Sequence, residues 1–319
     1  SLMVFRGWFV GMQDSVSSMW TDLIINFVNI GASVLLTFGC FGWSGLGFAG
    51  IATGTVVAQY VGLLYVILVC AFKYRHVFAG VGRAHVAEVL RAESLLPFLK
   101  MNVHLLGRSL CMTAIYMGYT IIASGFGDVL LACSSIMMQL LMLFSYFTDG
   151  FAYAGEALSG RFIGARDEEM LRRTVRYVFV WSMAIGMLFV GVYAVTGVPL
   201  MRLFTSDEAV VAACSRFLPW LLLMPPVGCA AFTWDGIYLG ATASRSLFMS
   251  MFYAVLGFAV CWIAGLALFG GFSAGSSWGP GADICLHVLL AAYFAHLAAR
   301  TVWLSADYRR SILREALSA

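Results

Sequence analysis

The sequence predicts an all-α integral membrane protein with eight transmembrane helices, on three observations. Of 319 residues, 61% are hydrophobic and 11% charged, against about 25% charged in a soluble domain, and the mean hydropathy is +0.90. Eight apolar stretches are long enough to cross the roughly 30 Å hydrocarbon layer. The basic residues are also distributed unevenly between alternate connections.

The spans fall at 16–39, 46–71, 95–123, 129–155, 174–197, 209–234, 246–270 and 282–304. With the N-terminus cytoplasmic, the inner connections are 6–15, 72–94, 156–173, 235–245 and the tail from 305. Those segments hold thirteen Lys and Arg residues, while the outer connections (40–45, 124–128, 198–208, 271–281) hold only Arg202. This positive-inside bias places both termini in the cytoplasm. The basic loop 73–94 separates two helices in residues 1–72 from six in 95–305, with 306–319 as a cytoplasmic tail. The eight cysteines lie in or beside apolar segments without a CxxC pair, so they read as buried small hydrophobes rather than disulfides or metal ligands.

The first and last helix pairs read as copies. Arg6-Gly-Trp-Phe-Val-Gly11 precedes the first span and Asp235-Gly-Ile-Tyr-Leu-Gly240 precedes the seventh; at the same offset Ser15 meets Ser244 and Ser17 meets Ser246. Lys73-Tyr-Arg75 and Asp307-Tyr-Arg309 follow the second and eighth spans. Both copies run in one sense, a parallel repeat about an axis along the membrane normal. Residues 95–234 have no counterpart in the first copy. The first lobe is therefore expected to be incomplete, with about 135 further residues ahead of Ser1 in a twelve-helix protein.

Three blocks, FRGWFVGMQDS (5–15), TDGFAYAGEALSGRFIGARD (148–167) and FTWDGIYLGATASRS (232–246), resemble the MATE (multidrug and toxic compound extrusion) family, specifically its DinF-like branch. The resemblance implies a partial two-lobed MATE-type bundle in the cell's inner membrane. It also implies export of cationic or amphipathic compounds in exchange for H⁺ or Na⁺. The family's first four helices, with a cation-linked acid, have no match here. Span 95–123 lacks the Glu of the sodium-coupled branch and carries Arg108 instead, so proton coupling is the expectation. The expected partners are amphipathic or cationic small molecules and the bilayer, with no nucleic acid and no cofactor beyond the coupling ion. A monomer is expected.

An ionised group at mid-bilayer costs about 2.5–3.5 kcal/mol on insertion scales, so such groups face protein or water. Gln139, Tyr146, Asp149, Tyr153 and Glu156 share one helical stripe. Lys100, His104 and Arg108 form a basic stripe on the preceding span. If the two antiparallel spans pack together, Arg108 reaches Asp149, either as a structural ion pair or as a coupling site; Glu156 is either a structural, interfacial acid or, with Gln139, part of the same coupling pathway. Ala152 and Ala154–Gly155 leave room for close helix approach. Asp235 and Arg6, equivalent and opposite in charge, either attract across the lobes or are solvated loop charges. Asp22, Asn26 and Asn29 share a face, lining a cavity or holding helices together. The many Met and Phe residues suit a forgiving pocket or simple packing, and His287 and His296 read as packing histidines.

An intramembrane enzyme is excluded by the lack of Ser–Lys, His-Glu-x-x-His or paired-Asp patterns. A lipid-linked oligosaccharide flippase of the same superfamily would need more deep basic residues than Lys100, Arg108 and Arg216. A fragment that transports nothing is the remaining alternative.

Overall fold

A computed structural model describes residues 2–39, 45–78, 92–269 and 282–316. Among them the chain is helical: α1 (Leu2–Gly11), α2 (Ser15–Phe38), α3 (Phe48–Lys73), α4 (Arg75–Phe78), α5 (Ala92–Ser124), α6 (Asp128–Gly164), α7 (Glu168–Phe204), α8 (Glu208–Arg216), α9 (Leu218–Gly240), α10 (Ser244–Leu268) and α11 (Ala282–Tyr308). The last continues as a wider-wound π-helical segment, Arg309–Ala316. Among the described residues seven helices are each long and apolar enough to cross a membrane, and α8 with α9, a bent pair, together are long and apolar enough for an eighth. The protein is thus an all-α, multi-pass bundle. It divides into two compact units, Ser1–Leu95 and Leu96–Ala319. Most of the 73–94 connection and of the 40–45 and 271–281 connections lies outside the described residues.

Three sequence expectations are corrected. The connections 156–173 and 235–245 are not loops. Helix α6 runs to Gly164 and α7 starts at Glu168; α9 runs to Gly240 and α10 starts at Ser244. A 37-residue helix such as α6 or α7 is about 55 Å long, well beyond the hydrocarbon thickness. Polar residues mark where a helix leaves the apolar layer, and the helix need not end there. The expected span 209–234 is broken by 58° at Phe217, because Pro219 lacks the N–H that would bond the carbonyl of residue 215. Residues 6–15 and the tail are likewise mostly helical.

In the first unit, every fourth residue of α3 from Gly50 is buried: Gly50, Gly54, Ala58, Gly62, Val66 and Cys70. The glycines bring the backbone against α2, where a Cβ on Gly50 would fall 2.5 Å from the backbone of Leu36. Small residues replace the hydrophobic drive that lipid cannot supply. The base of this pair is tied by Asp14, the N-cap of α2, which accepts from Lys73 (2.7 Å) and Tyr74 (2.7 Å) and from the Ser17 N–H (3.2 Å). Burial alone would raise the Asp14 carboxyl, but the bonds from Lys73, Ser17 and Tyr74 prevail and hold it well below the usual carboxylate range. Burial, and then the bond to Asp14, push the Tyr74 phenol up to about 12.

In the second unit, α9 crosses α6 at the glycines of the DGIYLG motif. An added Cβ would stand 2.1 Å from the Ala152 carbonyl oxygen at Gly236 and 2.1 Å from the Glu156 carbonyl oxygen at Gly240. The Ser159 hydroxyl donates across the same crossing to the Ile237 carbonyl (3.2 Å). The expected small surface at Ala152 and Gly155 is therefore used here, whereas Ala154 is exposed. Helix α7 joins through Ser182, which takes hydrogen bonds from Thr233 (2.7 Å, to its hydroxyl) and the Cys229 thiol (3.0 Å, to its carbonyl). The seven described cysteines are free thiols, five buried and two half-buried.

The repeat motif's first copy differs: a Cβ on Gly7 or Gly11 meets nothing within 4 Å. Gly236→Ala should therefore cost about 2 kcal/mol or more from overpacking, read as a fall of about 5 °C in thermal unfolding in detergent. Gly7→Ala should leave the midpoint unchanged. Equal effects would contradict this account of the motif.

Candidate functional site

The charged centre of the second unit is Asp235, in the penultimate turn of α9. Its Oδ2 accepts from Arg108 of α5, in a very short contact, and from Arg300 of α11 at 2.5 Å. The Arg300 side chain is 2% exposed. Its guanidinium also donates to the Ala231 carbonyl (3.1 Å), approaches the Met251 sulfur and lies over the Phe232 ring. The glycines that press α9 onto α6 thus leave its other face to carry the carboxylate toward α5 and α11. At an effective dielectric of about 20, each pair is worth about 4 kcal/mol of Coulomb attraction at 4 Å; desolvation offsets much of that. Asp235 Oδ1 and the Nε atoms of both arginines are buried without partners.

Asp149, on α6, is half-buried and forms no ion pair or hydrogen bond among the described residues. It lies in the electrostatic field of Asp235 and Arg300. Two arginines and two aspartates therefore share the centre. Their formal charges cancel when Asp149 is ionised and leave +1 when it is protonated. The arrangement can take up and release one proton or small cation at a carboxylate without a fixed partner.

The expected pairing of Arg108 with Asp149 is corrected. Helices α5 and α6 approach one another at the end away from the arginine-rich turns, around a cavity of about 220 Å³ lined by Tyr116, Tyr119, Ser134, Met138 and Gln139 among others. At the other end α5 turns its basic stripe to α9 and α10: Arg108 takes Asp235, and His104 meets the Ser244 hydroxyl (3.3 Å) and stacks on Phe248. Asp235 is not a solvated loop charge. Its partners and that of Arg6, which is Asp22, all lie within their own units. Within the α6 stripe, Gln139, Tyr146 and Tyr153 are exposed and Glu156 is half-buried, so this face is not packed into the unit's core.

Asn29 holds helices together, accepting at Oδ1 from Thr55 of α3 (3.2 Å) and from Ser33 (3.1 Å); Asn26 is exposed. His287 accepts from the Trp220 indole (2.8 Å) and His296 bonds the Tyr293 carbonyl, both as packing histidines. Arg216 pairs with Asp283 at the surface, and Lys100 is exposed. The residue missed from sequence is Arg300, which was not counted among the deep basic groups. The available signal was a lone arginine four residues before the end of the last predicted span.

Geometry and composition define a polytopic helical membrane protein with a charged cluster enclosed among its helices. Residues 105–263 match the MatE family profile. DNA damage-inducible protein F of Escherichia coli K12 is 30% identical over 260 residues, covering 81% of this chain and 55% of that protein. A protein of Photorhabdus laumondii named "Probable multidrug resistance protein NorM" is 24% identical over 274 residues, covering 83% of this chain and 56% of its own length. The crystal structure of a mutant of the Vibrio cholerae MATE transporter VcmN superposes with TM-score 0.77 at 15% identity, covering all of this chain and 67% of that one. A MATE structure in complex with MaD5 gives 0.78 at 16% identity, covering 99% and 65%. The chain belongs to the MATE family, a family of transporters rather than enzymes. It spans about half the length of the curated relatives it matches.

Removing one member of a buried ion pair costs about 3–5 kcal/mol when its partner stays charged and unpaired. Asp235→Asn leaves both arginines so and should destabilise the bundle strongly, whereas Arg300→Met leaves Asp235 bonded to Arg108 and should cost less. The double variant should be at least about 1 kcal/mol less destabilised than their sum. Strict additivity in chemical unfolding would show that the two do not interact.

Proposed function

We propose that this chain is part of a secondary active exporter of cationic or amphipathic compounds driven by inward proton movement, with both chain termini cytoplasmic in the inner membrane. The observation that carries the reading is Asp149: a carboxylate in an apolar bundle, without a partner, beside an Arg108–Asp235–Arg300 cluster whose own charges are committed. A proton arriving at Asp149 changes the charge of the centre by one, and a low-dielectric surround makes that change felt by the helices that hold it. Sodium is the less supported ion, since α5 presents Arg108 where a carboxylate would be needed. The methionines and tyrosines around the cavity between α5 and α6 suit apolar, weakly polar substrates. Arg300 adds a deep cation, but with Arg108 it is balanced by Asp235 and an ionised Asp149, so it does not favour a flippase for anionic lipid-linked sugars.

In a pump-deficient host expressing the chain, a cationic dye should accumulate less than in control cells. A protonophore should abolish the difference, and replacing sodium by choline should not. Asp149→Asn should lower the export rate about a hundredfold or more, the scale of losing a proton-transferring group. Export by this variant at the normal rate with an unchanged pH profile would rule out the coupling role.

A further inference from the structure

At the arginine-rich end of the second unit, a cavity of about 780 Å³ opens between the start of α5, the α9–α10 turn and the end of α11. Its walls carry Lys100, Arg245 and Arg310 against a single carboxylate, Asp307, with His104 beside them. Asp307 is engaged by the Ser311 hydroxyl (2.6 Å), which in turn meets Ser246 (2.9 Å). Lys100 and Arg245 are exposed and make no ion pair with any described residue. Two uncommitted cations beside hydroxyl groups call for an anion bearing several acceptor oxygens.

The local backbone agrees. Three helix-to-helix turns repeat one geometry, each with a residue in the left-handed region (Gln13, Arg166, Thr242). The next residue returns its N–H to the carbonyl five positions back: Asp14 to Phe9 (2.9 Å), Asp167 to Phe162 (2.9 Å) and Ala243 to Tyr238 (3.1 Å). In the first two turns that residue's carboxylate caps the following helix. In the third it is alanine and α10 begins without a side-chain cap, at the wall of the cavity. In the first unit the place equivalent to Asp307 is Lys73, bound to Asp14. The second unit has neither member of that pair, with Ala243 and Asp307 in their places.

We infer that this cavity binds a phosphate group, that of an anionic phospholipid in the leaflet on the arginine-rich side. Phe98 and Met101 form part of the wall, and Leu96 and Leu99 beside them are exposed, giving acyl chains an apolar path out of the cavity. Basic pockets between membrane helices are suited to such headgroups. The inference uses none of the residues assigned to proton coupling and stands or falls independently of it.

Native mass spectrometry of the full chain released from mixed phosphatidylglycerol–phosphatidylcholine vesicles tests it. Wild type should retain phosphatidylglycerol, and Lys100→Gln/Arg245→Gln should bind it about 25-fold more weakly, roughly fivefold per charge removed. Both positions are exposed, so the double variant should fold normally. Arg172→Gln/Arg173→Gln, which removes two exposed cations from the same end, should change nothing. Equal retention by wild type and the Lys100/Arg245 variant, or equal loss in the Arg172/Arg173 control, would overturn the site. Thermal protection by inorganic phosphate without lipid retention would overturn the lipid assignment.

Discussion

A carboxylate held between two guanidinium groups inside an apolar bundle is the interaction on which the second unit is organised. Asp235 joins α9 to α5 through Arg108 and to α11 through Arg300, so three helices that lipid would not otherwise press together share one charged contact. Desolvation makes such a contact a poor source of net stability but an expensive one to break. That asymmetry specifies which helix faces meet. It also leaves Asp149 nearby with nothing fixed to bind, the observation on which the proposed proton coupling rests.

The same sequence motif serves two ends in the two units. In the second, Gly236 and Gly240 let α9 touch the backbone of α6, and the motif's charge faces the opposite side. In the first, Gly7 and Gly11 touch nothing, and the motif's Arg6 pairs with Asp22. The charges are inverted between copies at both ends of the helix pair, Arg6 for Asp235 and Lys73 for Asp307. The ion pairs accordingly have different partners in the two copies: Asp14 and Lys73 close the base of the first pair, and a basic cavity lies at the base of the second.

Most of the fold was legible in the sequence because burial in a bilayer demands long apolar runs and little else. The spans were found to within a few residues except where α6 and α7 continue past the apolar layer and where Pro219 bends the α8–α9 crossing. Helix continuation costs nothing once water is available, so hydropathy cannot report it. The site was legible in part. Arg108, Asp149 and Asp235 were singled out because charge in an apolar run requires a reason, but their partners were misassigned. Sequence adjacency suggested that α5 packs along α6, whereas the basic stripe of α5 faces α9 and α10. Arg300 escaped notice because its neighbours in the last span are ordinary and its importance lies in what reaches it from α9. Pairwise chemistry between distant segments is a property of packing, which no single stretch encodes.

The central claim is that Asp235 is bonded to both arginines at once. Solid-state NMR of the chain in lipid bilayers, with carbon-labelled aspartate carboxyls and nitrogen-labelled arginine guanidiniums, measures those separations directly. Two short carbon–nitrogen couplings to the Asp235 carboxyl are predicted, one lost in Arg108→Met and the other in Arg300→Met. A carboxyl with neither coupling, or coupled to Arg108 alone in the intact protein, would contradict the account.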